Sequence, residues 1–215
     1  MPPQFLGIGP PRTGSTTLWA CLRMHPDIEM PEAKELHWFD QPTWNPAQNK
    51  AYERNWRTNK VRGEISPDYC LYTDRIFQVY PDIKLIMTTR EPVERFLSAM
   101  VLSYRRNAAN TTSKDEYQKL VEDHVLRSVY HADTDHQLKL GQYSKMVQTV
   151  NPSQLLTISF DELSNDQTNT MVRIAEFLGV RPFRNIPYRH ENPLLERFPF
   201  SDEFLTAINH YYDSI

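Results

Sequence analysis

The chain has 215 residues, 40% of them hydrophobic and 24% charged. That is a globular composition, long enough for one α/β domain with a sizeable core and short for two. A formal net charge of −3 lacks the positive field of a general nucleic-acid binder, but it permits a locally basic anion pocket. No apolar run reaches about 18 residues, so no transmembrane helix is expected within this sequence.

Phe5 to Ile8 is a short apolar run ending in Gly9-Pro10-Pro11-Arg12-Thr13-Gly14, and Ser15 to His25 carries Leu18, Trp19, Leu22 and Met24 at helical spacing. This predicts strand, glycine-containing loop and helix. The opening lacks the layout of a signal peptide. The expectation is a cytoplasmic protein, with the Golgi lumen the alternative if an amino-terminal anchor lies outside this sequence. Residues 29–46 read as irregular and aromatic-rich, Val61 to Ile65 as a strand, and Thr73 to Tyr80 as a helix. Lys84 to Thr89 is the clearest buried strand, and Pro92 then suits the first turn of an amphipathic helix over Val93 to Arg105. Residues 107–115 read as a polar loop, and Asn110-Thr111-Thr112 matches a glycosylation sequon. Helices are predicted over Tyr117 to Val129, Leu138 to Val150, Asn169 to Leu178 (stopped by Gly179) and Asp202 to Tyr212, with a strand over Leu155 to Phe160. Strands alternating with helices predict a single P-loop-like α/β domain over residues 1–215, with a central parallel sheet and helices on both faces. Cys21 and Cys70 have no metal-ligand spacing and are expected to be buried thiols.

Ligands of parallel α/β sheets bind at the carboxyl ends of the strands. A loop of pattern Gly9-x-x-x-x-Gly14 between strand and helix suits an anion, because backbone N–H groups and the positive helix end face it. Walker A loops place Lys and then Ser or Thr after the second glycine; here Ser15 stands there and the basic residue is Arg12. A guanidinium with the hydroxyl run Ser15, Thr16 and Thr17 suits a compact dianion without a metal. A second candidate anchor is Arg90, at the end of the strand, with Ser98 eight residues on. Arg95 between them reads as an ordinary surface charge.

These two segments resemble the PAPS-dependent sulfotransferase superfamily, where PAPS is 3′-phosphoadenosine-5′-phosphosulfate. Residues Gly9 to Leu18 look like its 5′-phosphosulfate loop, and Thr89 to Ser98 like its 3′-phosphate motif. Gly141-Gln142-Tyr143, Leu155 to Leu163 and Phe177-Leu178-Gly179 resemble the carbohydrate and heparan sulfate-type branch. The resemblance implies that Arg12, with Thr13, Gly14, Ser15, Thr16 and Thr17, binds the 5′-phosphosulfate, and that Arg90 and Ser98 hold the 3′-phosphate. It also implies sulfuryl transfer to a hydroxyl or amine of a glycan, lipid or small-metabolite acceptor, giving adenosine 3′,5′-bisphosphate with no metal. Arg12 would act through charge alone, since arginine keeps its proton.

Lys34-Glu35-Leu36-His37-Trp38-Phe39-Asp40 resembles the segment of the heparan branch that carries the base. By that resemblance Glu35 is the catalytic base, while His37 and Asp40 shape the acceptor site. His37 remains a candidate base because an unperturbed imidazole titrates near neutrality. The plainer reading is a surface salt bridge beside an aromatic plug, with His37 capping a backbone carbonyl and Trp38 and Phe39 packing. Within Gly63-Glu64-Ile65-Ser66-Pro67-Asp68-Tyr69, the family often has lysine where Ile65 stands. This departure counts against a heavily sulfated polysaccharide acceptor. The heparan-type cysteine loop is absent, and the resemblance implies that relatives continue past Ile215, so a trimmed carboxyl terminus is expected. Rival readings are a P-loop kinase, which would need magnesium and ATP, and a non-catalytic nucleotide-binding module on the same fold.

Overall fold

The computed structural model describes residues 1–108, 112–131, 136–184 and 198–214. They fall into two compact units, one of Met1–Thr89 with the chain from Ser144, the other of Arg90–Tyr143 with the last helix.

In the first unit, β1 (Phe5–Gly7), β2 (Ile28–Glu29), β3 (Val61–Ile65), β4 (Lys84–Thr89) and β5 (Leu155–Ser159) form one sheet in the order β2-β3-β1-β4-β5. Every pairing is parallel. The strands expected from the apolar runs are all present, and the two-residue β2 is an addition too short to carry a period. The connection from β1 to β3 runs one way across the sheet, and that from β3 to β4 returns past β1. Right-handed crossovers therefore put α1 (Ser15–Leu22) and α3 (Thr73–Val79) on opposite faces. On one face Phe5, Ile65, Ile86 and Ile158 pack with Leu18 and Leu22 of α1. Leu163 of α8 (Phe160–Asn165) and Met171 and Ile174 of α9 (Gln167–Leu178) join the same cluster. An eight-residue helix such as α1 is too short to persist alone. Burial of each large apolar side chain, about 1.5–3 kcal/mol, holds it on the sheet. Helix α8, which the pattern did not predict, begins with a reciprocal capping box between Ser159 and Glu162. The short α2 (Asn49–Tyr52) also escaped the pattern. Cys21 and Cys70 are both buried thiols.

The second unit holds α4 (Pro92–Ser103), a π-type turn over Tyr104–Ala108, α5 (Lys114–His131), α6 (His136–Lys139) and, after the short α7 (Tyr143–Met146) returns the chain to the first unit, α10 (Asp202–Asp213). Glu91 caps α4, its carboxylate accepting from the N–H groups of Val93 at 2.9 Å and Glu94 at 2.6 Å, while Pro92 stands in the first turn as expected. Phe96, Val125, Leu138, Phe198, Phe204 and Ile208 form its core. Helix α5 starts earlier than its apolar pattern because Ser113 caps it, its hydroxyl accepting from Glu116 N–H at 3.2 Å. The sequon residues Asn110 and Thr111 lie outside the described residues.

Two expectations are corrected here. The helix expected over Leu138 to Val150 is instead two single turns, α6 and α7. The Leu138 carbonyl accepts from Gly141 N–H at 3.1 Å and from the Tyr212 hydroxyl at 3.1 Å, so the helical ladder is closed off there. A side chain at Gly141 would strike the Tyr212 ring, 2.5 Å from the position of its Cβ. Arg95 is not a surface charge: it is 0% exposed. Its guanidinium donates to the Gln137 side-chain oxygen at 3.2 Å and to the Gln137 carbonyl.

Candidate active site

The loop after β1 is built around a buried threonine. Thr13 Oγ1 donates to the Pro10 carbonyl at 2.6 Å and lies 2.6 Å from Thr88 Oγ1 at the end of β4. Gly9 passes so close to Thr88 that an added Cβ would sit 2.5 Å from its carbonyl oxygen. Gly14 (φ 95°) starts α1 in the left-handed region without a side-chain cap, and no acidic residue occupies the first turn. The amides at this end therefore suit an anion. Arg12, next to Thr13, is itself left-handed at φ 73°. This donor set of amides, hydroxyls and one guanidinium fits a phosphate or phosphosulfate group. Ser15 and Thr17 are buried and Thr16 is half-buried.

The Lys34–Asp40 segment docks on the carboxyl end of β3, the strand beside β1. Glu35 pairs with Lys34. His37 Nδ1 lies 2.6 Å from Asp40 Oδ2, and Nε2 lies 3.5 Å from Glu35 Oε2. The three sequence-predicted residues Glu35, His37 and Asp40 thus form one contiguous set, and among the described residues the imidazole pairs with these carboxylates and caps no backbone carbonyl. Side-chain exposure is 33% for Glu35 and 42% for His37, against 15% for Asp40. Glu35 (φ 65°) and His37 (φ 50°) join Arg12 and Asp68 as the left-handed non-glycine residues among those described. Each such conformation costs about 1–3 kcal/mol and persists only where the surroundings over-determine it. Below the segment, Phe39 is fully buried against the rings of Tyr52, Tyr69 and Tyr80, and Trp38 stacks on Tyr52. Both are packing residues, as the sequence suggested.

What over-determines the loop is Glu64 of β3, only 1% exposed. Its Oε2 accepts from Leu36 N–H at 3.1 Å and from the Ser66 hydroxyl at 2.8 Å. Its Oε1 accepts from the hydroxyls of Tyr52 at 2.7 Å and Tyr69 at 2.8 Å. Burial raises this carboxyl above its ordinary value, and the four donors oppose that rise. The same burial, with the Glu64 charge beside them, pushes the Tyr52 and Tyr69 hydroxyls up. Sequence reasoning missed Glu64 as a site residue. The available signal was a lone carboxylate inside the strand run Val61–Ile65.

In the second unit, Arg90 immediately precedes the capped start of α4. Its carbonyl accepts from the Tyr143 hydroxyl at 2.6 Å, and its guanidinium pairs with Glu94 at 3.4 Å. Ser98 is a buried residue of α4. Glu94 and Ser98 lie about one turn apart on α4, whereas Arg90 precedes the helix, ahead of the extended cap residue Glu91. Tyr143, the residue that braces Arg90, was legible in the sequence only as part of the family-like segment Gly141-Gln142-Tyr143, with no role assigned.

A model of the sulfotransferase family matches residues 46–184, and the chain belongs to that family. Human heparan sulfate glucosamine 3-O-sulfotransferase 6 is 27% identical over 190 residues, covering 83% of this chain and 53% of that protein. Mouse heparan sulfate glucosamine 3-O-sulfotransferase 3B1 is 27% identical over 191 residues, covering 83% of this chain and 46% of the relative. The chain thus spans about half the length of the curated relatives it matches. In fold it resembles a sulfotransferase from Alicyclobacillus acidocaldarius, with a TM-score of 0.76 at 20% identity over 100% of this chain and 92% of that one. Mouse sulfotransferase SULT7A1 complexed with PAP gives a TM-score of 0.55 at 15% identity, covering 97% of this chain and 63% of that one. Among the described residues no helix is long and apolar enough to cross a membrane.

Proposed function

We propose that this chain transfers a sulfuryl group from PAPS to an acceptor hydroxyl, with Glu35 as the base. The observation that carries the reading is the Glu35–His37–Asp40 set, held at the carboxyl edge of the sheet beside an uncapped helix start that suits an anion. PAPS supplies an activated sulfuryl group on a phosphate leaving group. Arg12 and the amides of Thr13 to Thr17 would bind the 5′-phosphosulfate and stabilise the charge that grows on the departing phosphate oxygen. The assignment of Arg90 and Ser98 to the 3′-phosphate rests on the motif Thr89–Ser98.

In-line attack forms a bond from the acceptor oxygen to sulfur and breaks the bond from sulfur to the phosphate oxygen. The acceptor proton goes to the Glu35 carboxylate, a step worth roughly 10²–10⁴-fold in rate. Lys34 pairs with Glu35 Oε1, which leaves Oε2 to take the proton. Asp40 accepts from Nδ1–H of His37, which turns Nε2 toward Glu35. The products are a sulfate ester and adenosine 3′,5′-bisphosphate. The relatives named for heparan sulfate glucosamine make an amino-sugar hydroxyl of a glycan the first acceptor to try.

Thermal-shift measurements with adenosine 3′,5′-bisphosphate, ATP plus magnesium, and AMP test the class. Saturation at 100 times Kd stabilises a folded protein by about 2.7 kcal/mol. Selective stabilisation by the bisphosphate is expected; a shift with ATP and magnesium alone would support a kinase instead.

A further inference from the structure

We propose that Glu64 is a positioning residue for the reaction, holding the main-chain N–H groups of Leu36, His37 and Trp38 so that Glu35 and His37 project into the site. Leu36 N–H bonds directly to Glu64 Oε2 at 3.1 Å. His37 N–H donates to Ser66 Oγ at 3.2 Å, and that hydroxyl donates to Glu64 Oε2 at 2.8 Å. Trp38 N–H donates to the Tyr69 hydroxyl at 2.6 Å, which donates to Glu64 Oε1 at 2.8 Å. Three consecutive amides of an irregular segment therefore converge on one carboxylate.

The convergence has a physical purpose. Residues alternating between left-handed and ordinary backbone, as Glu35 and His37 require, point their amides in directions that no regular ladder can satisfy. A buried amide without an acceptor is expensive, so a buried acceptor of high capacity fixes the conformation. An ionised carboxylate accepts at about four lone-pair sites and donates at none. Glu64 receives four donors, the fourth being the Tyr52 hydroxyl at 2.7 Å. Glu64 does not touch the reacting atoms in this scheme; it acts through the loop. The proposal rests on the reading of Glu35 as base.

The test uses Glu64→Gln, which keeps the size and one acceptor oxygen, and Ser66→Ala, which deletes the link to His37 together with one of the four donors to Glu64. Binding is measured with adenosine 3′,5′-bisphosphate, and turnover with PAPS and a heparan sulfate oligosaccharide. Hydrogen exchange is followed at residues 36–38. Nucleotide Kd should stay within about threefold while kcat falls by about tenfold or more in both variants, and amide exchange at residues 36–38 should accelerate by about tenfold. A merely structural defect would weaken nucleotide binding in step with kcat, and that result overturns the proposal. So does unchanged kcat in both variants, or unchanged exchange at all three amides. If the wild-type protein transfers no sulfuryl group, the functional reading fails instead, and exchange alone then decides whether Glu64 holds the loop.

Discussion

Thr13 and Thr88, 75 residues apart, meet through their hydroxyl oxygens at 2.6 Å in the interior. Thr13 has one hydroxyl proton and places it on the Pro10 carbonyl, so Thr88 is the donor in the pair. The bond ties the anion loop to the end of β4. Thr88→Val should reduce stability by about 0.5–1.5 kcal/mol. Thr13→Val strands the Pro10 carbonyl as well and should cost about 1–3 kcal/mol. Urea unfolding measures both, and nucleotide affinity should fall in the same order. Equal stability in the two variants would contradict the assigned direction of donation.

Glu35→Gln should bind adenosine 3′,5′-bisphosphate normally and lose about 10²–10⁴-fold in turnover. Asp40→Asn should lose less, because it disturbs only the orientation of His37. Steady-state kinetics beside isothermal titration checks the split, and normal turnover in Glu35→Gln would transfer the role of base to another group.

Arg90→Ala should weaken PAPS far more than adenosine 5′-phosphosulfate, since only the former carries a 3′-phosphate. Glu94 competes for the same guanidinium at 3.4 Å. A partly exposed ion pair is worth at most about 1 kcal/mol, so Glu94→Gln should tighten PAPS by no more than about fivefold. Equal weakening of both nucleotides by Arg90→Ala would remove the 3′-phosphate from this motif.

Burial raises the Glu64 carboxyl above its ordinary 4.5. The folded chain then holds more protons than the unfolded chain between 4.5 and the raised folded value. Stability from this residue is full below that window and falls as pH rises through it. Other carboxylates with lowered values, such as Glu162 and Glu29, act in the opposite sense at lower pH. The difference in unfolding free energy between wild type and Glu64→Gln isolates the Glu64 contribution. That difference should shift against the wild type as pH rises, and a flat difference would mean that folding does not perturb this carboxyl.

Arg95 is buried and donates to both oxygens of Gln137. Arg95→Ala opens a cavity and removes a donor from both Gln137 oxygens, and should destabilise the fold by about 2 kcal/mol or more. Arg95→Met refills the space and should be milder. Denaturant midpoints of the two variants test this order.

The sequence by itself determined the parts whose physics is local. The run Lys84–Thr89 followed by Pro92 dictated a buried strand and a helix start, because residue hydrophobicity and proline geometry act within a few positions. The same holds for Gly9 to Ser15, where an apolar run, two glycines and a following helical period define strand, loop and helix start before any packing is considered. Tertiary structure alone decided the rest. Arg95 looks like a solvated helix charge until Gln137 supplies oxygen partners from 42 residues away. Leu138 to Val150 keeps a helical pattern until the Tyr212 hydroxyl occupies the carbonyl that would propagate it. Glu64 is one carboxylate among 27 acidic residues until Tyr52, Ser66, Tyr69 and Leu36 close around it. A hydrogen bond's reach is a few ångströms in space and unlimited along the chain, so buried polar partners become visible only once the fold has brought them together.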